Sequence, residues 1–88
     1  MYSCDVTVKN SIGLHARPAT FFIQKANTYK SSIWVVKGES QVNAKSLLGV
    51  LSLAVTKDTL ITIKADGEDE EEAVHGLCSL IESGFESV

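Results

Sequence analysis

Ile12-Gly13-Leu14-His15-Ala16-Arg17-Pro18-Ala19-Thr20 is the stretch on which the chain turns from strand to helix. Gly13 permits a tight turn, because without a Cβ it tolerates backbone angles closed to other residues. An apolar helical pattern (Ala16, Ala19, Phe22, Ile23, Ala26) begins just past His15, which puts His15 at or near the N-cap. Pro18 would break a helix interior but is harmless in a first turn, whose N–H groups have no intrahelical acceptor. The helix therefore starts here, and its spacing predicts that it runs from about Ala16 to about Asn27.

Upstream, Cys4, Val6 and Val8 alternate with Asp5, Thr7 and Lys9, the period of a strand with one buried face. Downstream, Ser31-Ser32-Ile33-Trp34-Val35-Val36-Lys37 is rich in β-branched and aromatic residues. Lys37-Gly38-Glu39-Ser40 then reads as a hairpin turn into Gln41-Val42-Asn43. Ile33 and Val35 share one face of that strand, leaving Trp34 partly exposed on the other. Ser46 precedes Leu47, Leu48, Val50 and Leu51 and is placed to cap a short helix. These leucines cannot all turn inward on so short an element, so at least one is expected at the surface.

Leu60-Ile61-Thr62-Ile63-Lys64-Ala65 alternates as a further strand and ends at Asp66-Gly67. Ala73, Val74, Leu77, Leu80 and Ile81 recur at helical spacing up to Ser83-Gly84, with Phe85 as a closing hydrophobe. The acidic run Glu68-Asp69-Glu70-Glu71-Glu72 could suggest a metal site, but dipole complementarity and solvation at a helix start explain it better. No metal and no cofactor are expected, and His75 reads as a solvent-facing residue. The order β-α-β-β-α-β-α predicts an α+β open-faced β-sandwich, a four-stranded antiparallel sheet with three helices on one face.

Whole-chain properties bound the function. With 88 residues the sequence allows one modest core, a single domain over residues 1–88, and little room for a full enzyme pocket. Eight Lys plus Arg against eleven Asp plus Glu leave a net charge of −3, which argues against nucleic acid as the main partner. No apolar run approaches membrane-spanning length, and the first residues lack the regions of a signal peptide, so a cytoplasmic location is expected. Cys4 and Cys78 have neither CxxC spacing nor companion ligands and read as free thiols.

His15 admits three readings on its own: an ordinary cap or surface residue, part of a passive anion site, or a nucleophile. The free N–H groups and positive dipole end of a helix start favour an anion and disfavour imidazolium. A neutral imidazole keeps a lone pair, and Arg17 supplies charge-assisted hydrogen bonds to a phosphoryl group. That combination suits phosphoryl transfer through a phosphohistidine.

Gly13-Leu14-His15-Ala16-Arg17-Pro18-Ala19 resembles the phosphohistidine motif of the HPr family, the histidine-containing phosphocarriers of the bacterial sugar phosphotransferase system. Asn43-Ala44-Lys45-Ser46-Leu47-Leu48-Gly49-Val50-Leu51-Ser52-Leu53 resembles that family's second motif, around its regulatory serine. The resemblance covers essentially the whole chain. It implies a phosphocarrier rather than an enzyme, with His15 accepting a phosphoryl group on Nδ1 from Enzyme I, itself charged by phosphoenolpyruvate. His15 then passes the group to IIA domains of sugar permeases, with Arg17 stabilising the phosphate.

The same resemblance implies that Thr20, Leu47, Leu48 and Leu51 belong to the partner-binding face, although Thr20 on its own reads as a solvent-facing helix residue in preference to a phosphate-side hydroxyl. Ser46 would be a phosphoserine in carbon catabolite control, modified by an HPr kinase/phosphorylase and read by catabolite control protein A. Leu47-Leu48 replaces the Ile-Met common in that Gram-positive-like subgroup, which bears on partner affinity. A monomer is expected. Two alternatives stay open: a regulatory HPr-like protein acting through Ser46 alone, a kind that typically lacks the active-site His kept here, and a nitrogen-branch carrier.

Overall fold

Strict alternation on one strand sets the layering of the molecule. The computed structural model describes residues 1–85. Strands β1 (Tyr2–Thr7), β2 (Ser32–Lys37), β3 (Ser40–Asn43) and β4 (Leu60–Asp66) form one antiparallel sheet in the order β1-β4-β2-β3. In central β4, Ile61, Ile63 and Ala65 are buried while Leu60, Thr62, Lys64 and Asp66 between them are not. Ile63 lies opposite Cys4 on one side and Val35 on the other, and Ala65 opposite Tyr2 and Ile33. One register therefore aligns the apolar faces of three strands, since a slip of one residue would turn every side chain over.

Helices α1 (Ala16–Ala26), α2 (Leu47–Ser52) and α3 (Glu70–Glu82) cover that face. α1 buries Ala19, Phe22 and Ala26, and α3 buries Ala73, Val74, Leu77, Cys78, Leu80 and Ile81. Full burial of a side chain such as Phe22, Ile63 or Leu77 stabilises the fold by roughly 1.5–3 kcal/mol each before entropy is counted. The opposite sheet face stays open, and Trp34 is half-buried there as expected. At the end of α3 the Gly84 N–H donates to Ile81 O and the Phe85 N–H to Leu80 O, turning the chain so that Phe85 closes the core.

Two details depart from the sequence reading, and a third, at His75, adds to it. Cys4 shares its strand face with buried Val6 yet is exposed, because β1 is an edge strand and cover thins toward its start. Within the acidic run, Asp69 is not simply solvated: its carboxylate accepts the backbone N–H groups of Lys30 and Ser31, both at 2.9 Å, and the Ser31 hydroxyl. His75 is exposed but not unengaged. Its Nε2 lies 2.9 Å from the Tyr2 hydroxyl, and the two rings stack with centroids 5.4 Å apart.

The single-domain expectation over 1–88 extends over residues 86–88, which lie outside the described residues. Among the described residues no helix is long and apolar enough to cross a membrane. No group of three or more His, Cys, Asp or Glu among them could hold a metal ion.

Candidate functional site

The loop between β1 and α1 is held from below and from the side. Leu14 is wholly buried and its N–H donates to Val55 O at 3.0 Å. Gly13 has φ +74°, and a Cβ there would collide with the Val55 carbonyl oxygen, so the close approach requires glycine. Asn10 closes the loop on itself: its Nδ2 donates to Gly13 O at 2.9 Å, and the Gly13 N–H donates to Asn10 O at 3.2 Å. Asn10 Oδ1 is buried and has no partner among the described residues. The next residue after this clamp is His15.

His15 is the N-cap of α1, in extended conformation (φ −132°, ψ 160°), and its side chain makes no capping hydrogen bond. The ring is half-exposed. Its nitrogens are thus not committed to the helix end, where a Ser or Asp cap would spend its oxygen on a backbone N–H. Pro18, third in the helix, offers no N–H, so the amides of Ala16 and Arg17 are the open donors of the first helical positions. Ala16 has φ +53°, a left-handed conformation that costs an L-residue about 1–3 kcal/mol and persists only where the surroundings enforce it. No residue pattern signals that strain.

Arg17 is exposed, and its guanidinium carbon lies 5.8 Å from the centroid of the Phe21 ring, one helical turn on. Arg17, Pro18 and Phe21 form one wall of a cleft of about 310 Å³ whose other side includes Asn10, Ile12 and Phe85. His15 is not part of that wall. The two residues singled out in the first motif therefore share the helix start, while the guanidinium rests against Phe21 instead of the imidazole. Ile12 is 53% exposed beside the loop, an apolar surface residue the sequence reading passed over.

Ser46 is the N-cap of α2, as its position before an apolar run predicts. Its Oγ accepts the Gly49 N–H at 3.1 Å, and its carbonyl oxygen accepts the Val50 N–H at 3.0 Å. Leu48 is 81% exposed and Leu47 39%, whereas Leu51 is half-buried against the core. Thr20 is exposed, and its hydroxyl donates to Ala16 O one turn back at 3.3 Å.

His15 and Ser46 stand at opposite ends of α1. Asn27, the C-cap of α1, donates to Lys45 O at 3.4 Å, and Lys45 Nζ donates to Tyr29 O at 2.8 Å. Eleven residues of helix set the two motifs about 16 Å apart along its axis.

The chain matches the family model of the PTS HPr component phosphorylation site over residues 2–83. It is 48% identical over 81 residues to the phosphocarrier protein HPr of Haemophilus influenzae, covering 92% of this chain and 95% of that protein. It is also 44% identical over 82 residues to the HPr-like protein Crh of Bacillus subtilis, covering 93% and 96%. Among solved structures, HPr-C-His from Thermoanaerobacter tengcongensis superposes with a TM-score of 0.95 at 47% identity, covering 97% of this chain and 96% of that one.

Proposed function

Because the chain belongs to the HPr family, the phosphocarriers of the phosphotransferase system, we propose that its carrier group is the His15 imidazole. His15 takes a phosphoryl group from phospho-Enzyme I and delivers it to a IIA domain. The observation that carries this reading is the half-exposed ring at the N-cap of α1, uncommitted to capping and adjoined by Arg17.

In each transfer the phosphorus–nitrogen bond to the donor histidine breaks as one to a His15 nitrogen forms, and the reverse holds on delivery. Little covalent work falls to the carrier. Its contribution is position and charge: the open amides of Ala16 and Arg17 lie at the helix start, and the Arg17 guanidinium swings from Phe21 onto the phosphoryl oxygens. Release matters as much as capture, so an exposed site with few donors suits a carrier better than a deep pocket. The partners bring the remaining apparatus, and the carrier works as a cytoplasmic monomer.

Exposed Leu47 and Leu48, with Leu51 and Thr20, supply the face on which Enzyme I and the IIA domains dock. A phosphate on Ser46 sits at the head of α2 next to those leucines. About 16 Å of helix keeps it from the His15 ring, so it acts on docking rather than on the nucleophile. A dianion buried against an apolar and acidic partner surface is desolvated and repelled, which gives the modification an inhibitory sense in sugar transport. The same phosphoserine, made by an HPr kinase/phosphorylase, is the mark that catabolite control protein A would read.

The test uses purified protein with Enzyme I and phosphoenolpyruvate. Acid-labile gain of one phosphoryl group, absent from His15→Ala, is the expected result; no gain would overturn the carrier reading. The similarity to Crh supports a second reading, regulation through Ser46 alone. That reading predicts acid-stable label from ATP and HPr kinase, lost in Ser46→Ala, with no label on His15.

A further inference from the structure

Two thiols separated by most of the chain come together on the side of the molecule where α3 crosses β1. Cys4 lies on the edge strand and is exposed, whereas Cys78 on α3 is 4% exposed. Both line one small cleft of about 120 Å³, together with Tyr2, Val74, His75 and Glu82. Burial, first, and then the neighbouring Cys4 thiol push the Cys78 thiol up to about 12. One thiol is therefore open to solvent, and the other is shielded in the wall of the same cleft. Neither has a role in the phosphoryl site, where Arg17 lines a different cleft and His15 stands at the N-cap of α1.

We propose that Cys4 and Cys78 form a redox pair that closes to an internal disulfide when a hydroperoxide attacks the exposed thiol. The Cys4 thiolate displaces the peroxide O–O bond, giving Cys4 sulfenic acid and releasing water from hydrogen peroxide. The Cys78 sulfur then attacks the Cys4 sulfur; the S–O bond breaks, and the leaving hydroxide takes the Cys78 proton as a second water. Two thiols lose two electrons in total, and one peroxide becomes two waters.

The accessibility of the two groups fixes the order of events. Oxidant reaches Cys4, and Cys78 resolves, because a sulfenic acid on the buried side would need the oxidant to enter the core. Burial disfavours the Cys78 thiolate, which slows closure. The product staples the edge strand to α3 and closes a ring over most of the sequence, restricting the unfolded chain. It spares the β1–α1 loop, so His15 should be labelled at the same rate in either redox form.

The experiment treats reduced full-length protein, dilute enough to disfavour cross-linking between molecules, with hydrogen peroxide. Expected are the loss of two hydrogens in intact mass, a Cys4–Cys78 peptide pair in a non-reducing digest, reversal by dithiothreitol, and a melting temperature raised by more than about 5 °C. Cys4→Ser and Cys78→Ala should each abolish the linked species, the first at an exposed position and the second leaving no polar group in the core. Oxygen added to Cys4 without linkage, dimers in place of the internal bond, or unchanged wild-type protein would each overturn the proposal.

Discussion

The Asp69 carboxylate holds Ser31 by both its backbone N–H and its hydroxyl, and takes the N–H of Lys30 as well. The start of α3 is thereby tied to the turn between α1 and β2. Ser31 is the only buried polar residue among those described, and this carboxylate satisfies it.

A dependence of stability on acid follows. Hydrogen bonding from the Ser31 hydroxyl, and next from the Lys30 amide, lowers the Asp69 pKa from 3.8 to about 2. A folded value below the unfolded one means that the stabilising contribution is fully present above the unfolded pKa of 3.8. It is lost as pH falls through about 2. The urea midpoint of the wild type should drop across that window, and Asp69→Asn should lower the midpoint at neutral pH while flattening the drop. Some slope will remain from Glu70, whose pKa is also lowered, chiefly by the Gly67 amide and then by the amino terminus. An undiminished slope in the variant would assign the acid sensitivity elsewhere.

Gly13 and Gly38 separate backbone strain from steric collision. Both have positive φ, +74° and +59°, but a Cβ at Gly38 meets nothing within 4 Å, whereas one at Gly13 strikes Val55 O and lies 2.7 Å from Thr56 Cα. Gly38→Ala should cost about 1 kcal/mol, the strain alone. Gly13→Ala should cost roughly 2–4 kcal/mol, because Leu14 must also give up its bond to Val55. Urea unfolding of the two variants measures the difference, and equal losses would mean that the Val55 contact relaxes freely.

The parts of the fold legible in the sequence are those in which a local pattern and the global arrangement coincide. Ile61, Ile63 and Ala65 reveal a core-facing strand because both neighbours of β4 repeat the alternation. His15 and Ser46 reveal themselves as N-caps because helix starts are local events. Alternation, however, reports which face a residue is on and not how well that face is covered, so it could not expose Cys4 at the sheet edge. The bonds from Asp69 to Ser31 and from Tyr2 to His75 join segments far apart in the chain, and no spacing rule reaches across them. The strained φ of Ala16 is invisible for a related reason: alanine favours a helix, and only its surroundings force the left-handed angle.

Ser46 allows its structural and regulatory roles to be separated. Its Oγ caps α2 through the Gly49 amide, so Ser46→Ala should destabilise the unmodified protein by about 1 kcal/mol. Ser46→Asp retains a capping oxygen and should remain within about 0.5 kcal/mol of the wild type. Docking should show the opposite ranking, with Asp weakening Enzyme I and IIA binding and Ala leaving it near the wild-type value. Calorimetric titration of the three forms checks this, and equal affinities would refute the placement of the docking face beside Ser46.

Arg17 tests what the helix start contributes beyond the nucleophile. Its guanidinium rests over Phe21, an exposed contact worth about 0.5–1 kcal/mol at most. A phosphoryl group on His15 offers charge-assisted bonds roughly twice as strong as neutral ones, enough to draw the fork off the ring. Arg17→Ala should therefore slow transfer from phospho-Enzyme I by roughly 10–100-fold while its unfolding free energy, read from urea titration, changes by no more than about 0.5 kcal/mol. Arg17→Lys keeps the charge but loses the planar pair of donors, and its rate should fall between the two. Phe21→Leu removes the resting place without touching the phosphate, so its rate should stay at or above that of the wild type. Rapid-quench kinetics on the four proteins decides the matter: identical rates for Arg17→Ala and wild type would take the guanidinium out of the transfer step.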